Sequence, residues 1–202
     1  LIEGLSLAFD DEVTASAAGE PIPNPGQLYI DATTKIDISG IPFASIVDSL
    51  SGDDITLTFS TPMTKLGPVP LGWATWSSPP FSESPNPDVL FTDDPALRID
   101  LSRPVRIFGF ELEPSSFATF TYTVDFFRGD DLIDGVSRMV DGNAGARLFA
   151  RIGEPIDRVV INAPDSYAIA QIRLQQVLQE QETLFMLVTA LLLLLVVPPF
   201  LL

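Results

Sequence analysis

Apolar and polar residues alternate with period two along most of the first 174 positions. Leu5, Leu7 and Phe9 alternate with Ser6 and Ala8, and Ile36 and Ile38 flank Asp37. Ile55, Leu57 and Phe59 alternate with Thr56 and Thr58, a run that Pro62 is expected to end. Leu97, Ile99 and Leu101 alternate with Arg98 and Asp100. The clearest case is 117–127, where Phe120, Tyr122, Val124 and Phe126 alternate with Thr119, Thr121, Thr123 and Asp125. One aromatic face and one Thr-rich face predict a half-buried antiparallel strand.

The segment 105–112 is apolar on both faces and reads as a central strand. Further short runs at 132–140, 146–152, 156–162 and 167–173 are separated by turn signals: Gly129-Asp130, Asp141-Gly142-Asn143, Gly153-Glu154-Pro155 and Pro164-Asp165. Residues 17–26 and 77–88 are rich in Pro, Ser and Gly and read as loops. With no convincing amphipathic helix before residue 174, the pattern predicts a mainly β chain, an antiparallel β-sandwich or jelly roll over 1–173.

At Leu174 the period changes from 2 to 3.6. Leu174, Val177, Leu178, Leu184, Phe185 and Val188 fall on one helical face, opposite Gln175, Gln176, Gln179, Glu180 and Glu182. This predicts an amphipathic polar neck over 174–183, leading into a hydrophobic α-helix within 184–202. Those last nineteen residues carry no charge. Leaving them in water would forgo on the order of 20 kcal/mol, so they require a bilayer, a partner or copies of themselves. Pro198 and Pro199 should stop the helix near Val197, leaving about 21 Å of apolar helix against a hydrocarbon core of ~30 Å. No Lys or Arg follows to hold a span across a membrane. Leu184, Phe185, Leu187, Val188, Leu191, Leu192, Leu195 and Val196 are therefore the candidate residues for assembly or membrane contact.

Charge and composition narrow the function classes. Lys and Arg total 11 against 27 Asp and Glu, for a net charge of −16. Such a surface repels nucleic acid, which is excluded as a partner, and anionic headgroups. The chain has neither His nor Cys. No Ser-His-Asp triad, Cys-His dyad or zinc site of the usual ligands can be built from it. No phosphate-binding loop or dinucleotide signature occurs, and Gly142-Asn143-Ala144-Gly145 lies between strands as a turn. A pair of carboxylates is the remaining catalytic chemistry. Glu111 and Glu113 share one strand face, where charges on a solvent face explain them equally well. The chain is read as non-enzymatic.

Two kinds of ligand remain open. Hard cations take oxygen ligands, and Asp10 and Asp11 after the first strand, with Asp130, Asp131 and Asp134 in a later turn, are candidates for calcium. The alternative is that these residues cap strand ends and keep the surface soluble. Trp73 and Trp76, the only tryptophans, precede the loop at 77–88. Exposed, they would form a platform for a sugar or partner; buried, they would pack under the loop.

The opening Phe9-Asp10-Asp11, ITLTFSTP (55–62), PVRIFGFELEP (104–114), FTYTVDFF (120–127) and YAIAQIRL (167–174) together resemble exported bacterial β-sandwich domains of PEP-CTERM-type surface proteins. The resemblance is one of strand style. It implies an extracytoplasmic, non-enzymatic jelly roll, sometimes with calcium where first and last strands meet. The tail departs from that family, since no Pro-Glu-Pro precedes it, no LPxTG occurs and no arginine cluster follows. The start at Leu1, without Met or a cationic leader, is what removal of a signal peptide would leave. The leading expectation is an extracellular structural protein that forms homo-oligomers through its C-terminal helix, as a filament or surface layer. A membrane-anchored surface protein and a calcium-dependent carbohydrate-binding or adhesion module are the alternatives.

Overall fold

The computed structural model describes residues 20–52 and 54–176. In chain order these form β1 (Glu20–Ile22), α1 (Gln27–Asp31), β2 (Thr34–Lys35), β3 (Ile46–Gly52), β4 (Ile55–Leu66), β5 (Val89–Thr92), β6 (Ala96–Pro114), β7 (Thr119–Arg128), β8 (Asp131–Asp141), β9 (Arg147–Asn162) and β10 (Tyr167–Gln176). The chain is mainly β, and its strands pair antiparallel as a β-sandwich. The expected strand at 5–9 and the C-terminal helix with its assembly residues lie outside the described residues. No helix among the described residues is long and apolar enough to cross a membrane.

Long strands join the two layers. The first half of β6 pairs with β4 (Ile99 opposite Phe59) and with the second half of β9 (Leu97 opposite Ile161). Its second half pairs instead with β10 (Leu112 opposite Ile169) and with the first half of β9 (Phe110 opposite Phe149). The ladder to β9 is interrupted between Asp100 and Val105, around Pro104, which has no N–H to donate. One layer therefore holds β3, β4, β6, β9, β7 and β8, and the other β5, β10, β6, β9 and β1. Between them lies one apolar core that includes Leu57, Phe59, Ile99, Phe110, Tyr122, Phe126, Phe149, Val159 and Ile169.

Several sequence-derived boundaries change. Pro62 does not end its strand, because β4 runs on to Leu66. Pro62 falls between the residues paired to β6 (57–59) and those paired to β5 (64–66), where its missing N–H interrupts neither ladder. Gly153-Glu154-Pro155 is not a turn but a bulge inside β9, across which the register to β6 shifts between Ile152 and Ile156. The runs at 97–101 and 105–112 are one strand, β6, and those at 146–152 and 156–162 merge into β9, which begins at Arg147. Residues 20–22, expected in a loop, pair with β9 as β1. Residues 174–176, expected to begin the helical neck, are strand, with Leu174 opposite Phe108 and Gln175 opposite Ile107. The period change was misleading there because a bulge in β10 shifts the buried set. Gln171, with φ of 51°, moves the inward positions from Tyr167 and Ile169 to Ile172 and Leu174.

The outer face of the second layer positions the site. Gly109 of β6, Ala150 of β9, and Ala168 and Ala170 of β10 leave a low surface of small side chains, on which Glu111 and Glu113 of β6 also stand. Residues 67–88, between β4 and β5, lie over it with Trp73 and Trp76 packed on Ala168 and Ala170. Tyr29 of α1 packs nearby on Ile107, Leu148 and Ala150.

Candidate functional site

Two acids in a strand otherwise apolar on both faces decide how the loop is held. Glu111 and Glu113 lie two positions apart, so both point to the outer face of β6, and both are fully buried beneath the loop. Glu111 accepts the Trp76 indole N–H on Oε2 at 2.8 Å and the backbone N–H of Glu83 on Oε1 at 2.7 Å. Glu113 accepts the Trp73 indole N–H on Oε2 at 2.9 Å. Its Oε1 accepts the backbone N–H of Gly145 at 3.1 Å and the Thr75 hydroxyl at 3.3 Å. Loss of hydration pushes the Glu111 carboxyl up to about 8, against the opposing pull of its two donors. Burial raises Glu113 as well, opposed by its own donors. These carboxyl groups are occupied by fixed donors and reach no solvent, so they do not form an accessible acid/base pair.

Further contacts fasten the loop. Glu83 takes a two-pronged ion pair from Arg173, with Nε at 2.5 Å and Nη2 at 3.1 Å. The third guanidinium nitrogen, Nη1, donates to the carbonyls of Ile30 and Thr33. Lys65, almost fully buried, pairs with Asp88 at 2.6 Å. The Tyr29 hydroxyl is buried without a hydrogen-bond partner and lies against Gly109, where an added Cβ would collide with it and with Ala150.

Where the loop meets the β6–β7 and β8–β9 turns, the surface opens into a cleft of about 390 Å³. Trp73 and Phe91 line it with ring centroids 6.0 Å apart, and Phe117, 70% exposed, stands at its wall. Thr75, Pro114, Ser115 and Gly142 also line it, and no charged side chain does. Gly72 lines the cleft with φ of +76°, a conformation that favours glycine, and the ring of the half-exposed Phe43 packs against it, where an added Cβ would push that ring aside. The apolar surface thus continues past the cleft to Phe43. Two smaller clefts of about 230 Å³ each both include Lys35, Ile36 and Asp37.

The expected sites fare differently. Trp73 and Trp76 are not an exposed platform; both are buried under the loop, and only Trp73 lines the cleft. Each indole packs on small residues and donates its N–H in a hydrogen bond to a glutamate, which is the core-packing alternative. Among the described residues, no three carboxylates gather as a metal site. Asp130 pairs with Arg158 at 3.2 Å, and Asp134 faces Arg151 at 3.7 Å while accepting the N–H of Gly135. Arginines thus take up two members of the expected calcium cluster. Asp131 stands exposed at the start of β8 opposite Arg128, and Asp10 and Asp11 lie outside the described residues. The solvent-face reading of Glu111 and Glu113 is overturned by their burial. Phe91 and Phe117 were not singled out in the sequence, since single aromatics in a strand and a turn carry no motif. The signal available was two acids within a doubly apolar strand, which implies buried donors.

No protein-family model matches the sequence, and no curated protein matches it. Among solved structures, the family 11 carbohydrate-binding module of cellulosomal cellulase Lic26A-Cel5E of Clostridium thermocellum is similar over 72% of this chain and 95% of that chain. The identity is 10% and the TM-score 0.30. The fold assignment accordingly rests on the strand pairings themselves.

Proposed function

We propose that this chain is a non-catalytic binding module, displayed outside the cell, that takes an uncharged saccharide in the cleft between Trp73, Phe91 and Phe117. One observation carries the reading: the cleft is walled by aromatic and small side chains and has no charged group. Aromatic rings pack against the C–H faces of sugar rings, while Ser115 and nearby backbone groups supply polar contacts. The net charge of −16 disfavours anionic polymers. The burial of Glu111 and Glu113 supports a role in holding the loop rather than in hydrolysis.

The test is a glycan array followed by calorimetry on neutral oligosaccharides. Phe117→Ala should weaken binding about tenfold, the order of one stacking contact. Its melting temperature should hardly change, because Phe117 is exposed. Absence of binding to every neutral glycan, or equal binding by the variant, would sink the reading.

A second reading, self-assembly, rests on the nineteen uncharged residues of 184–202. It is compatible with the first, since an assembled or membrane-held subunit can display a binding module. The full chain carrying Leu191→Lys and Leu195→Lys should sediment as a monomer without lipid if the segment drives assembly. Sedimentation identical to the parent chain would remove this reading.

A further inference from the structure

We infer that Glu113 is the positioning residue of the cleft: one buried carboxylate holds Trp73, Thr75 and the turn at 142–145 in the arrangement that receives the ligand. The inference rests on the saccharide-binding reading above and specifies what organises its site. The cleft is assembled from segments far apart in sequence. Trp73 and Thr75 come from the loop after β4, Pro114 and Ser115 from the end of β6, and Gly142 from the turn before β9. No backbone ladder joins the loop to that turn, so side chains must set their spacing.

Glu113 lies where the three meet, next in sequence to Pro114. One oxygen takes the indole N–H of Trp73 and the other takes the Thr75 hydroxyl and the Gly145 N–H. Thr75 completes the junction, lying 3.4 Å from the Gly142 carbonyl and accepting the Ala144 N–H at 3.2 Å. Glycine is also required within the turn itself: a Cβ at Gly142 would collide with the Ser116 backbone, and one at Gly145 with Asp141. Indole rotation about its long axis is fixed once its single N–H is committed, so Glu113 sets which edge of Trp73 faces the cleft. Glu111 supplies an internal comparison. It shares the strand, the face and the burial, but its donors, Trp76 and Glu83, do not line the cleft.

The experiment uses the full chain labelled with 5-fluorotryptophan, whose two indoles give two fluorine resonances, assigned with Trp73→Phe. Glu113→Gln keeps the size but leaves one acceptor oxygen for donors that used two. It should shift or broaden the Trp73 resonance without ligand, whereas Glu111→Gln should move only that of Trp76. Cellohexaose, maltohexaose and mannohexaose are then titrated by calorimetry. For any that binds, Glu113→Gln should lose about tenfold in affinity and Glu111→Gln less than about twofold. If Glu113→Gln does not fold, Thr75→Val takes its place and should move the Trp73 resonance and weaken binding severalfold. Equal effects of the two glutamine variants on Trp73, or an unmoved Trp73 resonance, overturn the inference. If none of the three sugars binds the parent chain, the saccharide reading loses its support, while the fluorine spectra still decide the role of Glu113.

Discussion

The indole N–H of Trp76 donates to Oε2 of Glu111 across 2.8 Å, with both side chains buried between the loop and the sheet. The pair joins segments 35 residues apart in sequence. Trp76→Phe removes the donor together with the five-membered ring, leaving a buried Glu111 carboxyl oxygen unsatisfied beside a small cavity. It should cost about 2 kcal/mol of stability, read as a lower midpoint in urea with an unchanged slope. A loss within experimental error would mean that the hydrogen bond contributes nothing net.

Glu111 also makes stability depend on pH. Its carboxyl is raised from 4.5 to about 8 in the folded chain, chiefly by desolvation. Between those values the native state holds a proton that the unfolded chain has released, so stability falls as pH rises through the window. Glu113 is shifted in the same direction. Glu111→Gln should flatten the decline in melting temperature between about pH 5 and 8, judged as the difference from the parent chain. Parallel curves for the two proteins would contradict the assignment.

Gly109 is where the sheet lets Tyr29 and Ala150 approach. A methyl group there meets both, and Ala150 belongs to the neighbouring strand, which cannot retreat without opening the ladder. Gly109→Ala should destabilise by about 3 kcal/mol, the upper range for overpacking a core. Differential scanning calorimetry of the single variant is sufficient, and a neutral result would show that the sheet relaxes.

Asp134 stands opposite the fully buried guanidinium of Arg151 at 3.7 Å. Asp134→Asn removes the charge and leaves Arg151 with its bond to the Glu154 carbonyl. The expected loss is roughly 2 kcal/mol, reduced from the usual cost of breaking a buried pair because Asp134 is partly exposed. The loss should be the same with calcium or with chelator. A calcium-dependent difference would restore a metal role to this turn.

The local pattern was sufficient for the strands because alternation records which side of a sheet is buried. Tyr122, Val124 and Phe126 face the core as their spacing requires, and the Thr-rich side faces out. Where a strand continues through Pro62 or Gly153-Glu154-Pro155, the local signal failed. Whether a proline or a bulge interrupts a ladder depends on which partner lies opposite, and that partner is distant in sequence. The same limit applied at Leu174, where a single bulge at Gln171 imitates the onset of a helical period.

By itself the sequence determined a mainly β chain, the absence of histidine and cysteine chemistry, a strongly acidic surface and an uncharged C-terminal segment, because each is a property of composition or near-neighbour spacing. Only the tertiary structure decided that Glu111 and Glu113 are buried, that Trp73 and Trp76 serve them as donors, and that Phe91 and Phe117 share a cleft. Those outcomes depend on the loop at 67–88 lying over a face of small side chains. Long-range packing selects that arrangement, and no local periodicity encodes it.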